Sequence, residues 1–381
     1  MAHPYLRAEH HQFRQVLRRY LQSEAVPNFS TWEKAQRVPR EFWQHMGRQG
    51  YLCPRVSPEY GGSGADFGYA VVITEELERV GSGLAGIGLH NDIVVPYLVD
   101  YGTPKQKARW LPGCVAGRII TAIAMTEPEP GSDLASIRTT AVRDGERYVI
   151  SGHKTFITNG GQADLILVAV KTDPASVPPH DGMSLIAVEA NSPGFRRGRV
   201  LSKLGQHSQD TAELFFDECR VPAANLIGAE GDGFRYLTAK LCQERLMVAI
   251  AAQAGMERAL EITRDYITRR VQFGQSLSRF QSVRFTVADL ATKVHVTRAF
   301  VDSLVARHIE GHLTVAEASM AKLWATDTAK TVVGECLQLH GGNGYMDEYE
   351  ISRRYRDMAV MPIYAGTNEI MKTIIAKEFL D

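Results

Sequence analysis

The sequence predicts an α+β protein with three regions in the order helical, β-rich, helical. Apolar residues recur at steps of three or four before about residue 120 and again after about residue 229, which is the period of amphipathic helices. Between these regions, short β-rich runs alternate with Gly, Pro, Asn and Asp turns. We therefore predict an N-terminal helical domain over residues 1–120, a middle β domain over 121–228 and a C-terminal helical bundle over 229–381.

The composition excludes several classes of protein. The 381 residues include 43 basic and 43 acidic side chains, so the formal net charge is zero. A neutral chain has no long-range attraction for nucleic acid or an acidic membrane surface. No uncharged apolar run approaches the roughly 20 residues that a membrane-spanning helix needs. The first residues, MAHPYLRAEHHQFRQ, lack the apolar core of a signal peptide.

Metal and nucleotide motifs are also missing from the sequence. Its five cysteines are scattered without CxxC spacing, which favours buried thiols over a disulfide framework or a zinc site. There is no HExxH motif and no P-loop, and the GGSGADFG segment at 61–68 has the wrong spacing for a dinucleotide fingerprint. We interpret that segment as a surface loop and predict no metal site.

Each region has its own periodicity. In the first, an apolar stripe at helical spacing contains Phe13, Val16, Leu17 and Leu21. In the second, the β-rich runs are Ile119–Met125, Tyr148–Ile150, Leu165–Val170, Met183–Val188 and Ala212–Phe216. These runs indicate a barrel or a sandwich of about 100 residues, and we predict an antiparallel β-barrel. In the third, a stripe of Val283, Val287, Leu290 and Val294 is one of several that favour a four-helix bundle.

Five separated segments carry residues that suit a polar ligand. They are AMTEPEPGSD (124–133), KTFITNG (154–160), RVQFG (270–274) with Gln281, QLHGGNGY (338–345) and IYAGTNEI (363–370). In order and spacing, these segments resemble the cofactor-binding motifs of the acyl-CoA dehydrogenases. The resemblance covers essentially the whole chain, including PEYGGSG near residue 60 and GTPKQKARWLP at 102–112. It implies the helical, β, helical fold of that family.

The resemblance implies FAD as the cofactor. Met125 and Thr126 would lie at the flavin ring, with Thr126 hydrogen-bonded to it, and Ser132 would lie near the pyrophosphate and the substrate. Phe156 would pack against the isoalloxazine, where many relatives have Trp, and Thr158 would contact its polar edge.

A second set of residues would hold the adenosine diphosphate half from a neighbouring subunit. By resemblance these are Arg270, Phe273, Gln281, Gln338, Gly341 and Gly342. The planar guanidinium of Arg270 suits phosphate oxygens, and two adjacent glycines allow a close approach of backbone N–H groups. Thr367 and Asn368 would close over the cofactor.

The catalytic base that many acyl-CoA dehydrogenases carry is missing from its usual place. In those relatives a glutamate directly precedes the Gly-Thr of the last motif, and here that position is Ala365. A methyl group cannot accept a proton. The chain is therefore either an inactive flavin-binding scaffold or an enzyme whose base comes from another segment.

Glu244 is our candidate for that base. It lies in register with apolar residues at steps of three and four, namely Leu237, Leu241, Val248 and Ala251. Burial of a carboxylate is costly and raises its pKa toward neutrality, which suits proton abstraction next to a carbonyl. The alternative is that Glu244 pairs with an arginine, such as the adjacent Arg245, or turns to solvent.

The sequence around Glu244 resembles one subgroup of the family. CQERL (242–246) is similar to the enzymes with the base on this helix, the long-chain and isovaleryl-CoA dehydrogenases. QDTAELFF (209–216), VTRAFVD (296–302) and MAKLWA (320–325) are most similar to the long-chain enzyme. The resemblance implies that Arg245 positions Glu244 or screens its charge. It also implies that the N–H of Ala365, next to Gly366, binds the thioester oxygen together with the flavin ribityl 2′-hydroxyl.

These implications together predict an FAD-dependent dehydrogenation of a fatty acyl-CoA to trans-2-enoyl-CoA. Glu244 would remove the α-proton and flavin N5 would take the β-hydride. The alternatives are a branched-chain (isovaleryl- or citronellyl-like) enzyme, a flavin oxidase and a non-catalytic scaffold subunit. His90, Asn91 and Asp92 lie in the expected wall of the acyl tunnel, 87–93, and would shorten it or favour a polar tail.

The resemblance also implies partners and a location. The electron acceptor would be electron-transferring flavoprotein, and the assembly would be a homotetramer with FAD across the dimer interface. Because imported mitochondrial relatives carry presequences, we expect a cytoplasmic, bacterial protein.

Overall fold

The computed structural model describes residues 3–380. The outermost residues of the predicted N- and C-terminal domains, 1–2 and 381, lie outside this range. None of the helices that residues 3–380 form has the length and hydrophobicity that a bilayer crossing requires.

Helices form the N-terminal third of the described chain. They are α1 (Ala8–Glu24), α2 (Phe29–Ala35), α3 (Arg40–Arg48), α4 (Phe67–Val80), α5 (Ala85–Gly88), α6 (Val95–Tyr101) and α7 (Pro104–Val115). A π-helical segment, Leu89–Val94, joins α5 to α6. Local sequence sets some of these boundaries: Thr103 begins α7 with a capping box, in which Thr103 and Gln106 each bind the other's backbone N–H.

One mixed eight-stranded sheet follows. Its strands are β1 (Thr121–Ala124), β2 (Thr140–Asp144), β3 (Arg147–Thr158), β4 (Leu165–Lys171), β5 (Met183–Glu189), β6 (Phe195–Val200), β7 (Thr211–Pro222) and β8 (Leu226–Ile227). The spatial order is β6-β7-β3-β2-β4-β5-β8, and β1 pairs in parallel with β4.

The predicted closed antiparallel barrel is wrong, because β6 and β8 end the sheet on opposite sides and do not pair with each other. β8 has only two residues. β6 carries exposed arginines, and charged side chains of this kind protect an edge strand from further pairing. A single residue pair, Thr140 with Lys171, joins β2 to β4, so the two halves of the sheet are only loosely tied there.

The C-terminal region is helical, as the sequence predicts. Its helices are α8 (Gly233–Arg269), α9 (Gln281–Ile309), α10 (Val315–Leu339), α11 (Glu350–Met358) and α12 (Asn368–Leu380). A short hairpin of β9 (Val271–Gln272) and β10 (Gln275–Ser276) links α8 to α9. α10 packs against α8, α9 and α12 around a core rich in alanine and valine.

The N-terminal helices pack against α8. α4 packs on α8 and places Phe67, Ala70 and Val71 in the core of the C-terminal helices. The π-helical segment between α5 and α6 also contacts α8. The middle of α8 is therefore enclosed between the N-terminal helices and α10.

Candidate active site

Glu244 is buried in the middle of α8, where the apolar stripe predicts it. Its residue surface is only 3% exposed. The hydroxyl of Tyr97, on α6, donates a hydrogen bond of 2.9 Å to Glu244 Oε1. The second oxygen of Glu244 accepts no hydrogen bond from the described residues. One oxygen is thus held in place and the other is free to accept a proton.

The environment raises the pKa of Glu244 to about 7. Burial is the main cause, since the charged form loses its hydration. The Tyr97 hydrogen bond and the charges of Arg245 and Lys240 act in the opposite direction. A carboxylate with this pKa is ionised in a useful fraction at neutral pH and is still basic enough to accept a carbon-bound proton.

Arg245 lies near the last motif and forms no ion pair with Glu244 among the described residues. Its Nη1 donates to Ser319 Oγ on α10 at 3.3 Å. Its Nη2 lies 4.0 Å from the point where a Cβ on Gly366 would lie. The guanidinium is buried, and its Nε has no hydrogen-bond partner among the described residues. Arg245 therefore brings the Glu244 segment next to the turn that contains Ala365.

The turn at Ala365–Gly366 has an unusual backbone. Both residues have positive φ angles, +54° for Ala365 and +85° for Gly366. Glycine adopts this region freely, whereas alanine is strained there. The N–H of Ala365 donates to no acceptor among the described residues. It is therefore free to bind an oxygen atom of a ligand.

Phe156 lies at a bulge in β3 and points outward. Between Lys154 and Ile157, β3 contains one residue more than its partner β7. Phe156 has φ +58° and its side chain is 67% exposed. Bulges that re-aim a side chain are common next to functional sites. The bulge leaves an aromatic ring exposed to a ligand.

Thr158 lies two residues beyond Phe156 on the same strand. Its hydroxyl accepts a hydrogen bond of 3.1 Å from Gln209 Nε2. Gln209 Oε1 is buried and has no partner among the described residues. The Thr158 hydroxyl keeps its own proton for donation, so the pair can offer both a donor and an acceptor.

The loop after β1 is held against β3 by a buried ion pair. Lys154 Nζ donates to Glu127 Oε1 at 2.8 Å and to the carbonyl of Met125 at 3.0 Å. The N–H of Thr155 donates to the carbonyl of Thr126 at 2.9 Å. Met125 and Thr126 thus lie beside the Phe156 bulge, and Ser132 lies farther along the same loop with its side chain exposed.

The residues predicted to bind the adenosine diphosphate half lie together at the other end of α8. Arg270 ends that helix, and Phe273 lies at the tip of the following hairpin with its side chain 93% exposed. Tyr266, one turn before Arg270, donates to the carbonyl of His340 at 3.1 Å. That contact brings the end of α8 next to the segment that contains the exposed residues Gln338, Gly341 and Gly342. Gln281, also exposed, begins α9 just after the hairpin.

The last two predicted cofactor residues have different surroundings. Thr367 is partly exposed, and its hydroxyl accepts from the N–H of Ile370 at 3.3 Å. Asn368 is buried, and its side-chain amide donates to Thr326 and Asp327 of α10. The Asn368 side chain is thus engaged inside the protein and not directed to a ligand.

These two surfaces fit a flavin dinucleotide. An exposed aromatic ring beside hydroxyl groups suits a planar, partly polar ring system. A Cβ at Gly341 or Gly342 would meet no atom within 4 Å, so a ligand can approach their backbone closely. The exposed guanidinium of Arg270 lies at the same end of the molecule. No hydrogen bond among the described residues joins the two surfaces.

The polar residues of the predicted tunnel wall differ in their roles. His90 contacts Thr121 and Cys114, and Asn91 contacts the backbone of Tyr51 and Cys53. Both side chains therefore stabilise the fold. Asp92 is buried, and neither of its carboxyl oxygens has a partner among the described residues. Burial raises the pKa of Asp92 to about 7.

The comparisons with known proteins identify the family. Three family models, for the N-terminal, middle and C-terminal domains of acyl-CoA dehydrogenase, match the chain. They match residues 7–118, 122–219 and 231–380, respectively. The chain belongs to the acyl-CoA dehydrogenase family. It is accordingly an oxidoreductase, and the predictions of the family and of FAD as its cofactor are confirmed at this level.

Two curated relatives cover nearly the whole chain. It is 45% identical over 373 residues to the mitochondrial long-chain specific acyl-CoA dehydrogenase of Sus scrofa, covering 98% of this chain and 87% of the relative. It is 35% identical over 378 residues to the mitochondrial isovaleryl-CoA dehydrogenase of Pongo abelii, covering 98% and 89%.

Solved structures agree with this fold. An acyl-CoA dehydrogenase from Geobacillus kaustophilus is 58% identical with a TM-score of 0.99, and each chain is covered completely. A glutaryl-CoA dehydrogenase from Mycobacterium smegmatis in complex with FADH2 is 27% identical with a TM-score of 0.92, covering 98% of this chain and 95% of that one.

Sequence reasoning missed three supporting residues of the site. Tyr97 holds Glu244 but lies 147 positions before it, and no sequence pattern links the two. The Glu127–Lys154 pair lies inside two recognised motifs, yet its partners become visible only when the strands are paired.

Proposed function

We propose that this chain is an FAD-dependent dehydrogenase that converts a fatty acyl-CoA thioester to the trans-2-enoyl-CoA. When bound, FAD supplies at flavin N5 the acceptor for the hydride that leaves the β-carbon. Glu244 takes the α-proton, and the electron pair of the broken α-carbon–hydrogen bond forms the new double bond. The observation that carries the proposal is the buried, tyrosine-bound carboxylate of Glu244, whose neighbour Arg245 lies close to the Ala365–Gly366 turn.

Binding of the thioester oxygen makes the α-proton acidic enough to be removed. As the α-proton leaves, negative charge develops on that oxygen and needs a donor already in place. The free N–H of Ala365 is such a donor, and loss of the glutamate side chain at this position does not remove it. Arg245, close to Gly366, adds positive charge on the same side. Ser132 lies on the loop that borders the substrate and the cofactor.

Two groups of residues would hold the cofactor. Met125, Thr126, Phe156 and Thr158 would bind the flavin ring of the same chain, while Thr367 borders it from the last motif. The exposed residues near the end of α8 would bind the adenosine diphosphate half of the FAD held by a second subunit. They are Arg270, Phe273, Gln281, Gln338, Gly341 and Gly342. The chain would therefore act as a homo-oligomer, of which the tetramer is the proposed form, and electron-transferring flavoprotein would reoxidise it.

An anaerobic titration tests the proposal. The purified yellow protein is mixed with straight-chain acyl-CoAs of graded length, and loss of flavin absorbance is followed. We expect bleaching with the wild type and with Glu257→Gln, a matched control on the same helix. We expect no bleaching on the same timescale with Glu244→Gln that retains its FAD. Wild-type bleaching by Glu244→Gln would contradict the assignment of the base, and absence of bleaching with every thioester would indicate a scaffold.

A branched-chain acyl-CoA is the second candidate substrate. It is favoured by the 35% identity to isovaleryl-CoA dehydrogenase, whereas the 45% identity to the long-chain enzyme favours a straight chain. The same experiment with isovaleryl-CoA decides between them by the rates of flavin reduction that the two thioesters give.

A further inference from the structure

The Ala365–Gly366 turn requires support from its neighbours. Two consecutive residues have left-handed backbone conformations, and the first of them is alanine. A left-handed conformation is strained for an L-residue other than glycine. Such conformations persist where surrounding contacts fix them. The contacts around this turn therefore show what keeps the Ala365 N–H in place.

Lys322, on α10, makes the closest such contacts. Its side chain is fully buried, with 0% exposure. The ammonium donates to the carbonyl of Gly366 at 2.8 Å and to Asn368 Oδ1 at 2.8 Å. The first acceptor belongs to the turn itself, and the second belongs to the residue that begins α12. One side chain of α10 thus binds both sides of the turn.

A second layer of hydrogen bonds fixes Asn368. Its Nδ2 donates to Asp327 Oδ1 at 2.8 Å and to Thr326 Oγ1 at 3.0 Å, and both partners lie on α10. Lys322, Thr326 and Asp327 are within two turns of one helix. α10 therefore binds both the oxygen and the nitrogen of the Asn368 side-chain amide.

The charge of Lys322 is costly at this place. Its hydrogen-bond acceptors are a carbonyl and an amide oxygen, not a carboxylate. Burial lowers its pKa to about 8, partly offset by Asp327, and the nearby charge of Arg245 lowers it further. A buried ammonium without an ion pair is retained only where its hydrogen bonds are needed, and bonds from a charged donor are stronger than neutral ones.

We propose that Lys322 is a positioning residue that fixes the Ala365–Gly366 turn and so keeps the Ala365 N–H aimed at the thioester oxygen. This inference rests on the proposed function, in which that N–H binds the developing negative charge. The hydrogen bonds of Lys322 go to the turn and to Asn368, not to Glu244. It acts through the Gly366 carbonyl, whose position determines the conformation of the turn.

Replacement of Lys322 by methionine, which has similar length and no charge, tests the proposal. We expect Lys322→Met to lower kcat by about tenfold, less than the 10²–10³-fold that removal of an oxyanion donor costs. The KM for acyl-CoA should change by a much smaller factor, because the lost contact strengthens in the transition state. Lys330→Met is the control, since Lys330 is exposed on the same helix, and it should leave both constants unchanged.

A second readout does not depend on catalysis. The N–H groups of Tyr364 and Asn368 donate to the carbonyls of Val360 and Pro362. In substrate-free protein, their hydrogen exchange should be faster in Lys322→Met than in the wild type by about tenfold, as expected for a locally opened turn. Exchange in the middle of α8 should be unchanged. This measurement tests the turn even if the enzyme proves inactive toward every acyl-CoA.

Lys322→Arg keeps the experiment decisive if the methionine variant does not fold. Arginine retains the charge and the donors, so a folded Lys322→Arg should recover most of the turn protection and of kcat. The proposal is overturned if folded, FAD-containing Lys322→Met has wild-type kcat and wild-type exchange. It is also overturned if Lys322→Arg has full activity while the N–H groups of Tyr364 and Asn368 exchange as fast as in Lys322→Met.

Discussion

Two buried glutamates in this molecule have opposite surroundings. Glu127, in the sheet region, accepts hydrogen bonds from Lys154 Nζ and from the backbone N–H groups of Arg138 and Thr139, at 2.7–2.9 Å. Glu244, on α8, accepts one, from Tyr97. Burial alone would raise both pKa values. For Glu127 the charge and hydrogen bonds of its partners outweigh burial and lower the pKa, whereas for Glu244 the pKa rises to about 7.

The contrast supports the proposal that Glu127 is structural and Glu244 reactive. A carboxylate with three donors is stable as an anion and has little tendency to take a proton. A carboxylate with one donor and a free oxygen is held in place but remains basic. A buried acid with few donors and a raised pKa is thus a candidate for a functional role.

The largest expected effect follows from Glu244→Gln. Loss of the base should lower the rate of flavin reduction by about 10²–10⁴-fold. The fold should not suffer, because a neutral amide removes a poorly solvated charge. Stopped-flow absorbance under anaerobic conditions measures the rate.

Stability measurements on the same variant sharpen the contrast. Because the folded pKa of Glu244 lies above its ordinary value of 4.5, its ionisation opposes folding. That cost is absent below pH 4.5, grows as the pH rises, and is complete above about pH 7. Glu244→Gln should therefore gain about 2.5 kcal/mol relative to the wild type at pH 8 compared with pH 5. A loss of stability at pH 8 would show that Glu244 is structural.

Glu127→Gln should behave in the opposite way. Breaking a buried ion pair leaves Lys154 uncompensated, and we expect a loss of about 3 kcal/mol in the free energy of unfolding. Denaturant titration at neutral pH measures it. The double variant Glu127→Gln/Lys154→Met should lose less than the sum of the single changes, because the two side chains interact directly. Additive losses would contradict the pairing.

Much of this architecture can be predicted from the sequence, and the features that could not be predicted have physical explanations. The order of helical and β regions follows from periodicity, and the burial of Glu244 follows from its place on an apolar stripe. β6, however, consists of Phe195–Val200 with three arginines and one glycine. An exposed edge strand needs no alternating pattern, so its sequence resembles a loop. The prediction of a closed barrel failed for the same reason, since closure depends on the edges.

The site shows a similar division. Lys322 could have been found, because Ala318, Lys322, Ala325 and Ala329 are all buried at steps of 4, 3 and 4, the spacing that identified Glu244. The Tyr97 contact could not, because it forms only when α6 docks on α8. The residue-by-residue cofactor assignments come from family resemblance and remain predictions, and their test is the FAD content of single variants.

The pH dependence of kcat/KM in the wild type should be smaller than the effect of Glu244→Gln and larger than that of Tyr97→Phe. Glu244 must be ionised to accept the α-proton, so kcat/KM should rise with pH and level off above a midpoint near 7. Below the midpoint, each pH unit should lower kcat/KM by about tenfold. Because the pKa of Glu127 is lowered from its ordinary value of 4.5, Glu127 should not contribute to this pH profile. A profile that is flat between pH 5.5 and 8 would contradict Glu244 as the base.

The smallest expected effect is that of Tyr97→Phe, which removes the single donor of Glu244 without changing the shape of the side chain. The hydrogen bond stabilises the charged form, so its loss should move the midpoint of kcat/KM upward by about half a unit to one unit. Activity at pH 7 should then fall several-fold and largely recover at pH 8.5. A fall that is equal at both pH values would mean that Tyr97 orients Glu244 without affecting its acidity. Tyr101→Phe, on the same helix, is the matched control, because its side chain stacks on Tyr236 at 4.1 Å and does not contact Glu244.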